Sequence, residues 1–334
     1  MDPLLFSILV MLAVVLLFLL PSAAVAVYAE RRVSAFIQNR YGPNRVGPLG
    51  LFQPFSDVIK LFLKEDIVPA KANRFLYTLA PMIPVSTAII TVAIIPFSEY
   101  VYITDLNVGV LYLLAVASLA VYGVTLAGWA SNSKYSLLGG LRAAAQMISY
   151  ELPMGVALAS VILFAGSLSL LEIVHSQELW WNIFRNPIGF FIFTIAAFAE
   201  ANRAPFDLVE AEQELVGGFH TEYSSMKFGT FFLAEYMHVV IGSMLITVFF
   251  FGGYHLPFAG YWLPEMSPVW KAILDIHVFI LKTVFFSFVF IWVRWTLPRF
   301  KFNQLMRLGW TKLLPLAILN FVVIAIILYY LPSS

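Results

Sequence analysis

Residues 200–236 read EANRAPFDLVEAEQELVGGFHTEYSSMKFGTFFLAEY, and this acidic stretch decides the fold because long apolar runs flank it on both sides. Six carboxylates lie within its first 23 residues, whereas only Arg203 and Lys227 are basic. Carboxylates placed between membrane spans are costly unless they are paired, hydrated or functional. We therefore expect the remaining chain to deliver something to these acids or to take protons from them. The acids are Glu200, Asp207, Glu210, Glu212, Glu214 and Glu222.

The composition indicates an all-α, polytopic membrane protein. Of the 334 residues, 61% are hydrophobic and 12% are charged, whereas soluble domains carry about 25% charged residues. A net charge of +1 gives no indication of nucleic-acid binding, and no motif for a dinucleotide or a nucleoside triphosphate is present. The chain has no cysteine, which excludes disulfides, thiolate-bound iron–sulfur clusters and a cysteine nucleophile. Any redox centre that serves this chain must therefore lie on a partner or be a diffusible molecule.

Eight apolar runs are long enough to cross a bilayer, which takes roughly 20 helical residues. The first run ends in small residues that imitate a signal-peptidase site, but no basic segment precedes it, so we interpret it as a retained span. The fifth run is the weakest, because Arg185 and Pro187 shorten it. No repeat or change of composition divides the chain, which predicts one integral membrane domain over residues 1–334. The predicted spans are 4–29, 75–97, 107–130, 144–168, 181–201, 228–252, 270–295 and 312–331.

The basic residues predict the orientation of the chain. All lysines and arginines except Arg185, Lys271 and Lys282 fall on one side of the predicted spans. Such an excess identifies these loops as cytoplasmic, and eight spans then place both termini on the outer side. The opposite loops hold the aromatic residues expected at a membrane interface, namely Trp180, Trp181, Tyr261 and Trp262.

The first cytoplasmic loop, about residues 30–74, predicts a short surface helix. Glycines and prolines exclude a regular helix in residues 40–50, and Pro54 suits the first turn of a helix over residues 54–65. This helix is too short to span and separates apolar from charged side chains, which favours the membrane surface, while packing on neighbouring spans is a compatible alternative. Its apolar face holds Phe55, Val58, Ile59, Phe62 and Leu63, and its polar face holds Asp57, Lys60 and Lys64. We also expect Phe52, Phe55 and Phe62 to line an entrance for a lipid-like ligand.

Charged residues inside the predicted spans indicate a proton or ion path. Glu151 lies in the fourth span, and Glu235 lies in the sixth. Asp275 and Lys282 lie seven residues apart in the seventh span and therefore share a helix face. Ionisable groups at this depth are rare and usually mark such paths. The alternative is that they form buried ion pairs that only hold helices together.

The acidic segment has the properties that a proton relay requires. Asp207 is expected to cap a short helix that continues to Glu214. Clustered carboxylates repel each other, so some of them have raised pKa values and hold protons near neutral pH. A solvated acidic loop is the alternative, although apolar residues interleave with the acids. A divalent metal site and a haem held by His238 and His277 are weaker interpretations, because no diagnostic ligand spacing supports the first and buried histidines are usually structural.

Five long motifs carry a resemblance to a known family. They are residues 29–65 (AERRVSAFIQNRYGPNRVGPLGLFQPFSDVIKLFLKE), 140–151 (GLRAAAQMISYE), 200–215 (EANRAPFDLVEAEQEL), 231–236 (FFLAEY) and 292–306 (WVRWTLPRFKFNQLM). With these motifs the chain closely resembles, over nearly its full length, the H-type membrane subunits of the proton-pumping NADH:quinone oxidoreductases, the respiratory complex I family. The mitochondrial counterpart in that family is the first membrane-encoded subunit.

The resemblance implies a subunit at the heel of the membrane arm of a proton-translocating oxidoreductase in the bacterial cytoplasmic membrane. Such a subunit docks the hydrophilic arm and forms the membrane side of the quinone chamber. NADH, FMN and the iron–sulfur clusters would sit on partner subunits, which also provide the quinone-headgroup site. Small membrane subunits and antiporter-like subunits would lie alongside in the bilayer. The chain itself would bind no cofactor or metal and would meet ubiquinone or menaquinone as substrate.

The resemblance also implies roles for individual residues by their positions in the motifs. The quinone chamber and its access path would use Glu30, Arg31, Arg40, Asp57 and Lys60, to which the helix pattern adds Phe55. The acidic coupling loop would use Glu200, Arg203, Asp207, Glu210, Glu212 and Glu214, with Glu222 from the same segment. The carboxylate path would begin with Glu151 and Glu235, to which the intramembrane charges add Asp275 and Lys282.

Three rival interpretations stay open at the level of sequence. The same scaffold serves hydrogenase-type complexes that use no quinone. A stand-alone ion or proton transporter is expected to show inverted repeats and broken helices, and this sequence shows no repeat. A purely structural anchor would leave the intramembrane charges without a purpose.

Overall fold

A computed structural model describes residues 3–207, 216–257 and 267–330, with side chains from residue 8 onward. Every regular element in these ranges is helical, which confirms the predicted all-α fold class. Two π-helical turns, Val15–Leu19 and Gly309–Leu313, join consecutive α-helices into longer ones. The α-helices are α1 (Pro3–Val14), α2 (Leu20–Ile37), α3 (Gln53–Leu63), α4 (Arg74–Leu79), α5 (Met82–Val92), α6 (Gly109–Ala130), α7 (Lys134–Ala165), α8 (Leu170–His175), α9 (Asn182–Arg185), α10 (Pro187–Glu200), α11 (Ser225–Phe250), α12 (Pro268–Thr296), α13 (Phe302–Leu308) and α14 (Leu314–Tyr330).

Seven helical segments of the described chain are long and apolar enough to cross a membrane. The fifth predicted span is shorter, because α9 ends at Arg185 and α10 has only 14 residues, or about 21 Å of helix. Asn186 separates these two helices, and its side-chain oxygen caps α10 by accepting from the Gly189 N–H at 2.9 Å. The seven segments are Ile8–Ile37, Arg74–Val92, Gly109–Ala130, Lys134–Ala165, Ser225–Phe250, Pro268–Thr296 and Phe302–Tyr330.

The first long helix continues past the predicted limit at residue 29 and ends at Ile37. No glycine or proline interrupts the helix between Pro21 and its end, so nothing in the local sequence stops it earlier. Glu30 and Arg31 therefore project from the last turns of α2 rather than from the loop in which we expected them.

α7 begins at Lys134, before the predicted limit at residue 144. The first turns of α7 contain polar residues, so a search for apolar runs leaves these turns out of the predicted span. Their side chains nevertheless pack against other parts of the protein. The Arg142 guanidinium, for example, lies 5.6 Å from the centre of the Phe302 ring. Glu151 consequently lies in the middle of a 32-residue helix.

α7 forms the centre of the described bundle and contacts α6, α10 and α14. Glycines allow very close approaches along it. A Cβ atom on Gly128 of α6 would lie 2.5 Å from the Ser136 carbonyl oxygen of α7. A Cβ atom on Gly139 would lie 2.6 Å from the backbone of Gly218 and Phe219, so this part of the acidic stretch packs directly on α7.

The predicted surface helix is present as α3, with Pro54 in its first turn. None of its residues is buried, and Phe55 and Phe62 are 63% and 66% exposed. One edge lies on α11, where the Ser225 hydroxyl donates to the Leu61 carbonyl at 3.0 Å. The outward apolar face stays uncovered, which is the arrangement that a helix at a membrane surface requires.

Candidate functional site

Four charged side chains meet where α2, α11 and α12 come together, and we call them the charge cluster: Glu30, Arg203, Glu235 and Arg294. The Arg203 guanidinium lies 3.7 Å from a Glu30 carboxylate oxygen and 3.4 Å from a Glu235 carboxylate oxygen. Arg294 donates to the other Glu30 oxygen. Arg203 is 3% exposed and Glu30 is 7% exposed. Buried charges persist only when they are paired, so acids and bases alternate through the cluster.

Arg203 is also held by an aromatic ring of α11. Its guanidinium lies 4.1 Å from the centre of the Tyr236 ring, a distance at which the cation is attracted to the ring face. The chain that follows is fixed as well, because the Phe300 N–H donates to the Pro205 carbonyl at 3.0 Å. The first residues of the acidic stretch therefore have a defined place against α11 and the chain after α12.

An ion pair connects α3 to the helix that carries Glu30. Arg31, the next residue on α2, lies 2.6 Å from the carboxylate of Asp57 on α3. Lys60 lies 3.9 Å from the same carboxylate. The structure thus brings together three of the predicted chamber residues beside the cluster. Arg40 is placed apart from them, on the exposed chain after α2, where it donates to Gln38 at 2.7 Å.

Three small cavities lie between the helices, and Glu200 lines all of them. Glu235 of the charge cluster lines the first. The Glu235 cavity, of about 30 Å³, is lined by Glu235, Glu200 and His238. The middle cavity, of about 20 Å³, is lined by Glu200 and His238, and the Glu151 cavity, of about 10 Å³, by Glu200 and Glu151. A water molecule needs about 10–15 Å³ by this measure. The first two cavities therefore have room for water, and the third is at the limit.

Glu151 has a partner on the neighbouring helix. The Ser118 hydroxyl of α6 donates to its carboxylate. This contact, together with the shared cavity, places the carboxylates of α7 and α10 at the interface of three helices. Glu151, Glu200 and Glu235 thus form a series across the described bundle. The proton-path role predicted for Glu151 and Glu235 stays a prediction.

The predicted acidic loop is described only at its two ends. Glu210, Glu212, Glu214 and the helix predicted over residues 207–214 lie outside the described residues, apart from Asp207 at their start. At the far end, the Glu222 carbonyl accepts from the Tyr77 hydroxyl at 2.6 Å. The Tyr77 ring stacks on Tyr223 with 4.1 Å between ring centres. This end of the loop is therefore anchored on α4.

Comparison with known proteins identifies the family. The model of the family described as NADH dehydrogenase matches residues 9–325. The chain belongs to that family. Among its relatives, the NADH-quinone oxidoreductase H subunit of Salinibacter ruber is 59% identical over 321 residues, covering 92% of both chains. The NADH-quinone oxidoreductase subunit 8 of Rhodothermus marinus is 58% identical over 317 residues, covering 92% of this chain and 93% of its own.

Two predicted path residues of this NADH dehydrogenase family member lie elsewhere. Lys282 donates to the carbonyls of Phe251, Gly253 and His255 at 2.7, 2.9 and 2.6 Å, so it caps the chain that leaves α11. Asp275, which is 4% exposed, accepts from Ser98. Neither residue lines the three cavities. Their part in a proton path stays a prediction.

Sequence reasoning gave no role to Arg294, Tyr236 or Ser118. Arg294 stands near the end of an apolar run, where an arginine normally marks the membrane interface. Its position next to a motif acid cannot be read from spacing, because 264 residues separate Arg294 from Glu30. The useful signal is charge balance: Glu30 and Glu235 inside a helical bundle require basic partners.

The loop after α11 predicts a pH effect on stability. Burial lowers the pKa of His255 to about 4, with further lowering by the positive charges of His175, Lys271 and Lys282 and partial compensation by Glu99. The unfolded chain protonates His255 below about pH 6.5, whereas the folded chain protonates it only near pH 4. The contribution of neutral His255 to stability is therefore fully present above pH 6.5 and is lost as the pH falls towards 4.

When the pH falls from 7.5 to 5, the free energy of unfolding is expected to fall by about 2 kcal/mol less in His255→Gln than in the parent. Thermal melting of the purified assembly at both pH values measures this difference, and the remaining titrating groups are common to both proteins. Equal losses in parent and variant would show that His255 does not resist protonation.

Proposed function

We propose that this chain is the membrane subunit of an NADH:quinone oxidoreductase that forms the membrane side of the quinone chamber and starts the path coupling quinone reduction to proton translocation. One observation carries the proposal. Glu235 of the charge cluster shares one cavity with Glu200, and Glu200 shares a further cavity with Glu151. The names of the relatives, which are NADH-quinone oxidoreductase subunits, support the quinone as the substrate.

The exposed apolar face of α3 provides the access path for a quinone tail. Phe55 and Phe62 lie on that uncovered face, and Phe52 packs edge-to-face on Phe55 with 6.3 Å between ring centres. The opposite side of α3 carries Asp57, which joins it to α2 next to Glu30. A quinone that slides along α3 with its headgroup leading would therefore approach the charge cluster.

Coupling follows from the low polarity around the cluster. Electrons come from an iron–sulfur cluster on a partner subunit, because this chain has no cysteine. Two-electron reduction of a quinone demands two protons, and a nearby change of charge acts strongly on carboxylates in a poorly solvated interior. The new charge disturbs the ion pairs of Glu30 and Glu235 with Arg203. Glu200 then passes the resulting change of protonation to Glu151. The acids from Asp207 to Glu222 contribute to the same response. The chain lies in the cytoplasmic membrane with both termini on the outer side.

Glu200→Gln tests this path at the residue that all three cavities share. Quinone-coupled NADH oxidation is expected to fall by about tenfold or more, because the amide cannot take or give the proton. Reduction of an artificial acceptor by the hydrophilic arm is expected to stay normal, since that reaction bypasses this subunit. Both rates are measured in membranes that contain equal amounts of assembled complex.

The matched control is Glu172→Gln on α8, an exposed carboxylate that lines none of the three cavities. It is expected to leave both rates unchanged. Full coupled turnover in Glu200→Gln, with protons still translocated, would remove the path from the proposal.

A further inference from the structure

One histidine lies between two of the cavities and has no role in the path so far. His238 stands on α11 three residues after Glu235, so the two side chains are neighbours on the helix surface. Its ring lines both the Glu235 cavity and the middle cavity. Glu200 lines the same two cavities, so His238 and Glu200 border the same water-sized space.

A hydrogen bond fixes which ring nitrogen of His238 can accept a proton. Nδ1 of His238 lies 2.7 Å from the Ala234 carbonyl oxygen of the preceding turn. A carbonyl only accepts, so Nδ1 carries the hydrogen. In the neutral ring Nε2 is then the acceptor.

The other polar side chains of the middle cavity are poorly suited to carry a proton. The Thr87 hydroxyl donates to the Pro84 carbonyl at 2.9 Å, and the Thr91 hydroxyl donates to the Thr87 carbonyl at 2.8 Å. Each hydroxyl hydrogen is therefore committed to its own helix. His238 and Glu200 are the two titratable groups among the residues that line this cavity.

We propose that His238 transfers protons between Glu235 and Glu200. This inference rests on the proposed function, since it adds a member to the carboxylate path. Protonated Glu235 gives its proton to a water of the Glu235 cavity while that water gives one of its own to Nε2. The Glu235 carboxylate is then deprotonated, and the ring becomes a cation with both nitrogens protonated. Nε2 then gives that proton to a water of the middle cavity, which passes it to the Glu200 carboxylate. Nδ1 keeps its hydrogen throughout, so Nε2 is the ring atom that gains and then loses the proton.

The chain offers a matched control for this histidine. His277 on α12 makes the same local contact, with Nδ1 at 2.7 Å from the Ile273 carbonyl oxygen one turn earlier. Unlike His238, it is exposed on the surface of the described chain and lines none of the three cavities. The two residues therefore share a backbone hydrogen bond and differ in their surroundings.

The experiment compares His238→Phe, His238→Gln and His277→Phe in the assembled complex. Both His238 variants are expected to lower quinone-coupled turnover by about tenfold at equal assembly. In His238→Gln the slowing in deuterated water is expected to exceed that of the parent, because proton transfer through the remaining waters limits the rate. His277→Phe is expected to match the parent in both measurements.

The outcomes separate this inference from the proposed function when Glu200→Gln is assayed in parallel. If Glu200→Gln is slow but both His238 variants are as fast as the parent, His238 carries no protons and the carboxylate path stands without it. If all three are fast, the path itself fails. If His238→Phe does not assemble, His238→Gln decides alone, and a rate and isotope effect equal to those of the parent would overturn the inference.

Discussion

Replacing Arg203 with leucine is expected to deplete the subunit from assembled complex and to abolish quinone-coupled turnover. The guanidinium is 3% exposed and pairs with carboxylates on two helices. Removing one partner of a buried ion pair typically costs about 3–5 kcal/mol, because the remaining charge stays buried. That loss is a large fraction of the free energy of unfolding of a typical domain, which is about 5–15 kcal/mol. Immunoblots of native gels measure the assembly, and NADH-driven quinone reduction measures the activity.

Two further variants test the reason for this effect. Arg203→Leu combined with Glu235→Gln removes one uncompensated acid and is expected to restore part of the assembly but not the turnover. Arg203→Lys keeps the charge but loses the planar stacking on Tyr236 at 4.1 Å, so an intermediate result is expected. Normal assembly and turnover in Arg203→Leu would mean that the charge cluster does not hold these helices together.

The second large effect is expected for Gly139→Ala. The added Cβ atom would lie 2.6 Å from the backbone of Gly218 and Phe219, and a backbone cannot rotate away as a flexible side chain does. Overpacking typically costs about 1–3 kcal/mol, and here it also displaces Gly218 and Phe219 of the acidic stretch. A melting temperature several degrees lower and reduced quinone turnover are therefore expected. Thermal melting and turnover of the purified complex measure both.

Gly155→Ala on the same helix is the control. A Cβ atom there meets only a methyl group of Leu114, at 3.8 Å. Alanine favours a helix over glycine by about 1 kcal/mol, so this variant is expected to melt at the same temperature as the parent or slightly higher. Similar destabilisation of both variants would show that the contact with Gly218 is not the cause.

The sequence alone predicted the class of fold and most of the membrane helices, because long apolar runs have few alternatives. It also predicted α3, where a proline and a two-faced pattern coincide in a short segment. The predicted ends of the helices were less accurate. Residues such as Arg142 are polar and helical at once, and an apolar count stops at them although they pack on protein.

The sequence indicated which acids belong to the candidate site but not which residues form ion pairs with them. Motif positions indicated Glu30, Arg203 and Glu235 as members, yet periodicity shows only which residues share a face of one helix. Partners on different helices, such as Arg294 for Glu30, depend on how the helices pack. The cavities around Glu200 depend on the same packing and leave no local signature in the chain.

α3 has no buried residue, so its position depends on a few attachments at its edges. Asp57 fastens it to α2 through Arg31, and Leu61 fastens it to α11 through Ser225. These two helices carry the carboxylates of Glu30 and Glu235. Displacing α3 would therefore pull on both of the helices that carry these acids.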